Sequence, residues 1–140
     1  MILVDTSVLS LAFRRRSRSQ PEPHPVQVFR RTVLEDTPLA IPGIVLQELL
    51  SGVRTDQQSR RLRSLLETFP ILVAERQDHV LGAQISNACR RRGLSTSTVD
   101  CLIAALAVSR DAFLFTLDED FTRLGPICGL KLIKLGAPKG

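Results

Sequence analysis

Tryptophan and tyrosine are absent from this chain, and the only aromatics are six phenylalanines. With so few ring faces it has little from which to build a base-stacking platform, so any nucleic acid partner would be gripped mainly by its backbone. Histidine is scarce as well: His24 and His79 stand alone and far apart. The three cysteines, Cys89, Cys101 and Cys128, are odd in number and form no C-x-x-C pair. That spacing argues against a disulfide framework and against a zinc centre of histidine and cysteine. Catalysis through a serine–histidine–aspartate arrangement is poorly supplied too. The longest apolar run, Cys101 to Val108, falls well short of the roughly 18–20 residues of a membrane span. The apolar start, Met1 to Val4, is interrupted at once by Asp5 and has no basic segment before it. No signal peptide is therefore read, and the cytoplasm is the expected location. What remains for polar chemistry is carboxylate.

The 140 residues are 44% hydrophobic and 24% charged, the balance of one globular domain spanning residues 1–140. The formal net charge is +5, and of nineteen basic residues only Lys131, Lys134 and Lys139 are lysine. Arginine clusters stand at Arg14-Arg15-Arg16 with Arg18, at Arg30-Arg31, at Arg60-Arg61 with Arg63, and at Arg90-Arg91-Arg92. Guanidinium forks suit bidentate contact with phosphate or carboxylate. The partner class this implies is a polyanion, nucleic acid or acidic protein; a merely solvated surface is the alternative.

Short apolar runs at Met1–Val4, Leu39–Ile41, Ile71–Val73, Ala112–Phe115 and Leu130–Ile133 predict strands, the first of them buried on both faces. Between them, helical spacing predicts helices over Val8–Phe13, Val26–Leu34, Ile44–Leu50, Asp56–Phe69, Gln77–Arg92 and Thr98–Arg110. Gly93 is placed to close the fifth of these and Pro70 to stop the fourth. Residues 14–25, with four arginines and three prolines, read as an exposed loop. Strands alternating with helices argue for an α/β fold with a mainly parallel sheet.

Most acids sit among other polar residues and read as surface, among them Glu22, Glu67, Glu75, Asp78 and Asp111. Four places differ. Asp5 follows the first strand directly, where open α/β sheets bind ligands, although it also suits a helix N-cap. Glu48 has Ile44, Val45 and Leu49 as helical neighbours, which predicts a partly desolvated carboxylate unless it points outward beside Gln47. Asp100 opens an apolar helix, where it also fits a capping box with Ser97. Asp118 and Asp120 follow the fourth strand two residues apart, pointing the same way or forming a turn and helix cap. Taken together, the four bring several carboxylates toward the carboxyl ends of the strands. Such a cluster repels itself, and a divalent cation removes the penalty. All-oxygen ligands suit Mg²⁺ or Mn²⁺, which polarise phosphoryl oxygens and activate water. The composite reading is a metal-dependent phosphodiesterase acting on nucleic acid.

Four segments carry a family resemblance: Val4-Asp5-Thr6-Ser7-Val8-Leu9, Leu46-Gln47-Glu48-Leu49-Leu50-Ser51-Gly52, Val99-Asp100-Cys101-Leu102-Ile103-Ala104-Ala105 and Phe115-Thr116-Leu117-Asp118-Glu119-Asp120-Phe121. In this order they resemble the PIN-domain ribonucleases, most closely the VapC-type toxins of bacterial toxin–antitoxin pairs. The resemblance covers nearly the whole chain. It implies a three-layer α/β/α sandwich, a carboxylate cluster binding Mg²⁺ or Mn²⁺, endonucleolytic cleavage of RNA (tRNA or rRNA), a homodimer, and a small antitoxin that blocks the site. Carried over by motif, Asp5, Glu48, Asp100 and Asp118 are the core acids and metal ligands. Asp120 is an additional metal ligand, and Thr6 and Thr116 are supporting hydroxyls. Cys101 stands where alanine is commoner in the family, and the loop 14–25 matches no motif.

Other classes fit less well. A haloacid-dehalogenase-type phosphatase needs a second aspartate two residues after the first, where Ser7 stands. A receiver-like domain needs an acceptor aspartate after the third strand, where Ala74 and Glu75 follow. A non-catalytic RNA- or protein-binding module would keep the arginines but have no use for the acids. A DNA-directed nuclease on the same fold would use the same site.

Overall fold

The computed structural model describes residues 1–136. Five short strands form one sheet in the order β3-β2-β1-β4-β5, and every neighbouring pair runs parallel. The strands are β1 Ile2–Val4, β2 Leu39–Pro42, β3 Ile71–Leu72, β4 Phe113–Phe115 and β5 Lys131–Leu132. The first three step outward in one direction; the chain then crosses back to place β4 on the other side of β1. The gap between the carboxyl ends of β1 and β4 is therefore a topological switch point, the usual position of a ligand site in an open parallel sheet.

Helices α1 Thr6–Ala12, α2 His24–Leu34, α3 Gly43–Ser51 and α4 Asp56–Leu66 pack with one another. Helices α5 Arg76–Arg91, α6 Thr98–Ser109 and α7 Gly125–Cys128, with a 3₁₀ segment at Glu119–Leu124, form the second group. This is the three-layer α/β/α arrangement. The central strands are apolar on both faces, as a doubly covered parallel sheet requires: Leu3, Val4, Ile41, Leu114 and Phe115 are all buried. Phe29 meets Phe13, Phe69 and Phe115 at ring-centroid distances of 6.4, 5.9 and 6.4 Å. Helix α6 buries Cys101 and the whole run Ile103–Ala107; its alanines let it lie against the sheet, α5 and the 3₁₀ segment at once. No helix among the described residues is long and apolar enough to cross a membrane.

Element bounds differ from the sequence reading in instructive places. Helix α1 begins at Thr6, two residues earlier than the apolar periodicity indicates, which leaves Asp5 at its N-cap position. Helix α2 begins at His24, inside the segment read as loop, because Pro25 fits the first turn of a helix. Helix α4 stops at Leu66, short of Phe69, since the residues before Pro70 turn toward β3. Gly93 follows the C-cap Arg92 with φ +71°, the left-handed closure expected of it. The short α7 is an addition that no periodicity signalled.

One acid read as surface is not surface. Asp78 is 3% exposed. Both of its oxygens are held by Arg110, at 2.8 and 3.0 Å, and it also accepts from Ser109 Oγ and from the backbone N–H of Glu75. It looked like surface because its neighbours in sequence are polar, and the partner that allows it to be buried lies on another helix.

Candidate metal centre

Asp5 leaves the end of β1 and its backbone N–H donates to Phe115 O at 2.9 Å, which ties the two central strands together just below the site. The N-cap role considered for Asp5 is not used: the side chain makes no cap hydrogen bond to α1. Instead Asp5 Oδ2 accepts from Ser7 Oγ at 2.9 Å and from Thr116 Oγ1 at 2.7 Å. Ser7 Oγ in turn accepts from the N–H of Leu117, and Thr116 Oγ1 accepts from the N–H of Asp118. The two hydroxyls thus stitch the segment after β1 to the segment after β4. Thr6 points the other way, donating to Glu48 Oε1 at 2.9 Å across α1 and α3.

Asp100 lies in the first turn of α6, where its N–H donates to Ser97 Oγ. Only the Ser97 half of the capping box is formed, and it uses the backbone N–H of Asp100. Asp118 differs, because its cap uses one oxygen of the carboxylate itself. It caps the 3₁₀ segment, its Oδ1 accepting from the N–H of Asp120, and one oxygen each from Asp100, Asp118 and Asp120 lie within 4.8 Å of one another. Asp5 and Glu48 stand outside that tight trio but are felt by it. The Asp100 carboxyl is pushed above the usual carboxylate range by partial burial first, then by the charges of Asp118, Asp5 and Glu48. Four acids spread across 113 positions of sequence, from Asp5 to Asp118, therefore act on one point in space.

Glu48 departs from expectation in one respect. It is exposed, not partly desolvated: Val45 and Leu49 turn into the core while Glu48 takes the outward face of α3. Ser7 was missed as a member of the site. Its signal was a second hydroxyl beside Thr6, directly after the strand-end acid. Arg123 was missed too: its Nη2 donates to Asp120 Oδ1 at 2.6 Å.

The donor set tests well against a hard divalent cation. It is all oxygen, it converges within a few ångström, and its members repel one another when charged. Elsewhere, α1, α3 and α4 border an open groove of about 490 Å³, lined by Leu9, Phe13, Leu49 and Leu62 together with Arg14, Arg15 and Arg61.

The family model for the PIN domain matches residues 2–126. The chain belongs to the PIN-domain family. Among relatives of this PIN domain, a VapC ribonuclease of Mycobacterium bovis and ribonuclease VapC11 of Mycobacterium tuberculosis are each 33% identical over 133 residues, covering 94% of this chain and 96% of theirs. Among solved structures, VapBC2 from Rickettsia felis matches with a TM-score of 0.76 at 22% identity, covering 95% of this chain and 98% of that one. FitAcB from Neisseria gonorrhoeae matches with a TM-score of 0.75 at 23% identity, covering 96% and 97%. These structures share the three-layer fold described above.

Proposed function

We propose that this PIN domain is a metal-dependent endoribonuclease of the VapC type, the toxin of a toxin–antitoxin pair, with Asp5, Glu48, Asp100 and Asp118 as its catalytic acids. The observation that carries the reading is the convergence of Asp100, Asp118 and Asp120 at the switch point, with the Asp100 carboxyl raised by partial burial and by the charges of Asp118, Asp5 and Glu48. The ribonuclease names of the relatives at 33% identity support the substrate class.

In this proposal Asp100, Asp118 and Asp120 hold Mg²⁺ or Mn²⁺ together with Asp5, and Glu48 completes the set. Bound there, the cation supplies polarisation of a phosphoryl oxygen and activation of water for in-line attack. The chain's own residues do the rest. Ser7 and Thr116 fix the rotamer of Asp5 by occupying Oδ2 and leave Oδ1 for the site. Thr6 orients Glu48. Arginines of the surface hold the RNA backbone on either side of the scissile bond. The cognate antitoxin is the second component, as in the toxin–antitoxin complexes among the fold's neighbours; the groove of α1, α3 and α4, apolar at its floor and flanked by arginines, offers it a seat. A homodimer acting in the cytoplasm completes the reading.

The test is cleavage of labelled single-stranded RNA, a tRNA pool and a matched DNA by purified protein in Mg²⁺, Mn²⁺ and EDTA, with Asp5→Asn beside the parent. Metal-dependent cuts in RNA that vanish in the variant are expected. Cuts in DNA alone would transfer the site to a DNA-directed nuclease, and binding without cleavage in any lane would leave a binding module. For the partner, a small protein co-expressed with this chain should co-purify and suppress cleavage, and should lose both effects when its groove-binding segment is deleted.

A further inference from the structure

Among the described residues, Arg123 is the one basic side chain paired with any acid of the site. It lies on the 3₁₀ segment one turn after Asp120, both side chains are more than half exposed, and the bond between them is short at 2.6 Å. An exposed ion pair of this kind contributes little to stability, so its place invites a different explanation. Asp120 belongs to the trio whose oxygens lie within 4.8 Å of one another, and while Arg123 holds its Oδ1 a cation that takes that oxygen, or both oxygens, must displace the guanidinium. Resting on the nuclease reading above, we propose that Arg123 is a placeholder for the metal. It holds Asp120 in the metal-free protein, yields Asp120 to the cation, and then turns its freed fork to a phosphate of the RNA.

The chemistry of the pair supports each step. The guanidinium offsets one negative charge in a cluster that otherwise repels itself, so the empty site is tolerated. Once Asp120 is taken by the cation, Arg123 is left within a side chain's length of the site with its fork held only by water, and a phosphodiester is the anion that arrives. Arg123 is thus a positioning residue for the ligand set first and a phosphate contact second.

The experiment compares the parent with R123Q, R123K, D120N and the double variant, using calorimetric titration of Mn²⁺ without RNA and steady-state cleavage of a labelled RNA. R123Q should bind Mn²⁺ several-fold more tightly than the parent, because nothing competes for Asp120, while its KM for RNA rises about tenfold with a smaller change in kcat. R123K, which keeps the charge but loses the fork, should recover metal affinity close to the parent's and only part of the KM. In the D120N background the gain from R123Q should disappear. Unchanged or weaker Mn²⁺ binding by R123Q overturns the proposal, as does a gain that persists in full with D120N, which would make Arg123 only a distant charge. If the parent itself takes up no Mn²⁺ and cuts no RNA, the nuclease reading falls and this one with it. If the parent does both and R123Q matches it, the placeholder alone is refuted.

Discussion

Replacing Asp78 by asparagine should cost this PIN domain about a quarter of its stability margin or more, although Asp78 is remote from the acids of the site. The carboxylate side chain is 4% exposed and its partner Arg110 is 21% exposed. Arg110 grips both oxygens and Ser109 and the Glu75 N–H use the remaining lone pairs. Breaking a buried pair by removing one charge costs about 3–5 kcal/mol. Water still reaches part of Arg110, so the lower end, roughly 3 kcal/mol, is the working figure. For a chain of this size that is a fall in Tm of roughly 10 °C. The pH dependence gives a second handle. Arg110, first by its hydrogen bonds, holds the Asp78 carboxyl well below the usual carboxylate range. Its folded pKa is thus depressed relative to about 3.9 in the unfolded chain. The stabilisation is complete above about pH 4 and is lost as pH falls through the folded value. Thermal scans of the parent and D78N from pH 7 to pH 2.5 should show a wide gap that narrows below pH 4. A Tm within 2 °C of the parent at pH 7, or a gap as wide at pH 2.5 as at pH 7, would refute the reasoning. Replacing both partners together by leucine and methionine should cost far less than either single change.

Three further outcomes follow from the site. Ser7→Ala removes one of the two hydroxyls on Asp5 Oδ2 and the acceptor for the Leu117 N–H; we expect about 1 kcal/mol of destabilisation and at least a tenfold fall in kcat, read by urea unfolding and RNA cleavage. Asp100→Asn removes a charge whose partial burial, and then repulsion from neighbouring acids, raises this carboxyl. In EDTA the parent loses stability as pH rises through the ordinary carboxylate range to the raised pKa, so the variant should melt higher than the parent at pH 7 and should lose the Tm gain that Mn²⁺ gives the parent. Anisotropy of labelled RNA, at matched ionic strength, should show tighter binding in Mn²⁺ than in EDTA; equal affinities would mean that the acids do not face the bound strand.

Much of the fold was legible because its strands are short, apolar on both faces and separated by helical periods; Met1–Val4 and Ala112–Phe115 could be placed from composition alone. The candidate site was legible because acids in apolar company are conspicuous, as Asp5 and Asp100 are. What escaped has a common cause. Asp78 looks ordinary in sequence, since Arg110, the partner that makes its burial tolerable, lies 32 positions away. Ser7 reads as turn chemistry until Thr116, 109 positions on, is brought beside it. The exposure of Glu48 is settled only in the fold, because helical neighbours set which face is apolar but not whether a residue at its edge turns outward. Local pattern reports what a residue is beside in the chain, and these three depend on what the sheet order brings together.

The two kinds of hidden interaction have complementary duties. Helix α6 carries Asp100 in its first turn and is capped at its far end by Arg110, about 15 Å further along its axis. Its far end is pinned to α5 by the Asp78–Arg110 pair, and its length is packed against α5 more extensively than any other two elements are packed together. Its near end therefore has little freedom, which matters because the near end holds a carboxylate that its neighbours repel. A site built from mutually repelling acids relaxes by spreading, and every ångström of spreading weakens its hold on a small cation that demands short, regular oxygen contacts. The hydroxyls of Ser7 and Thr116 resist spreading on the β1–β4 side, and the buried ion pair resists it on the α6 side. Both are neutral or internally compensated, so neither reduces the negative potential that attracts the metal. On this argument the distant pair and the near hydroxyls belong to one device, and D78N should weaken Mn²⁺ binding at temperatures where it is still fully folded.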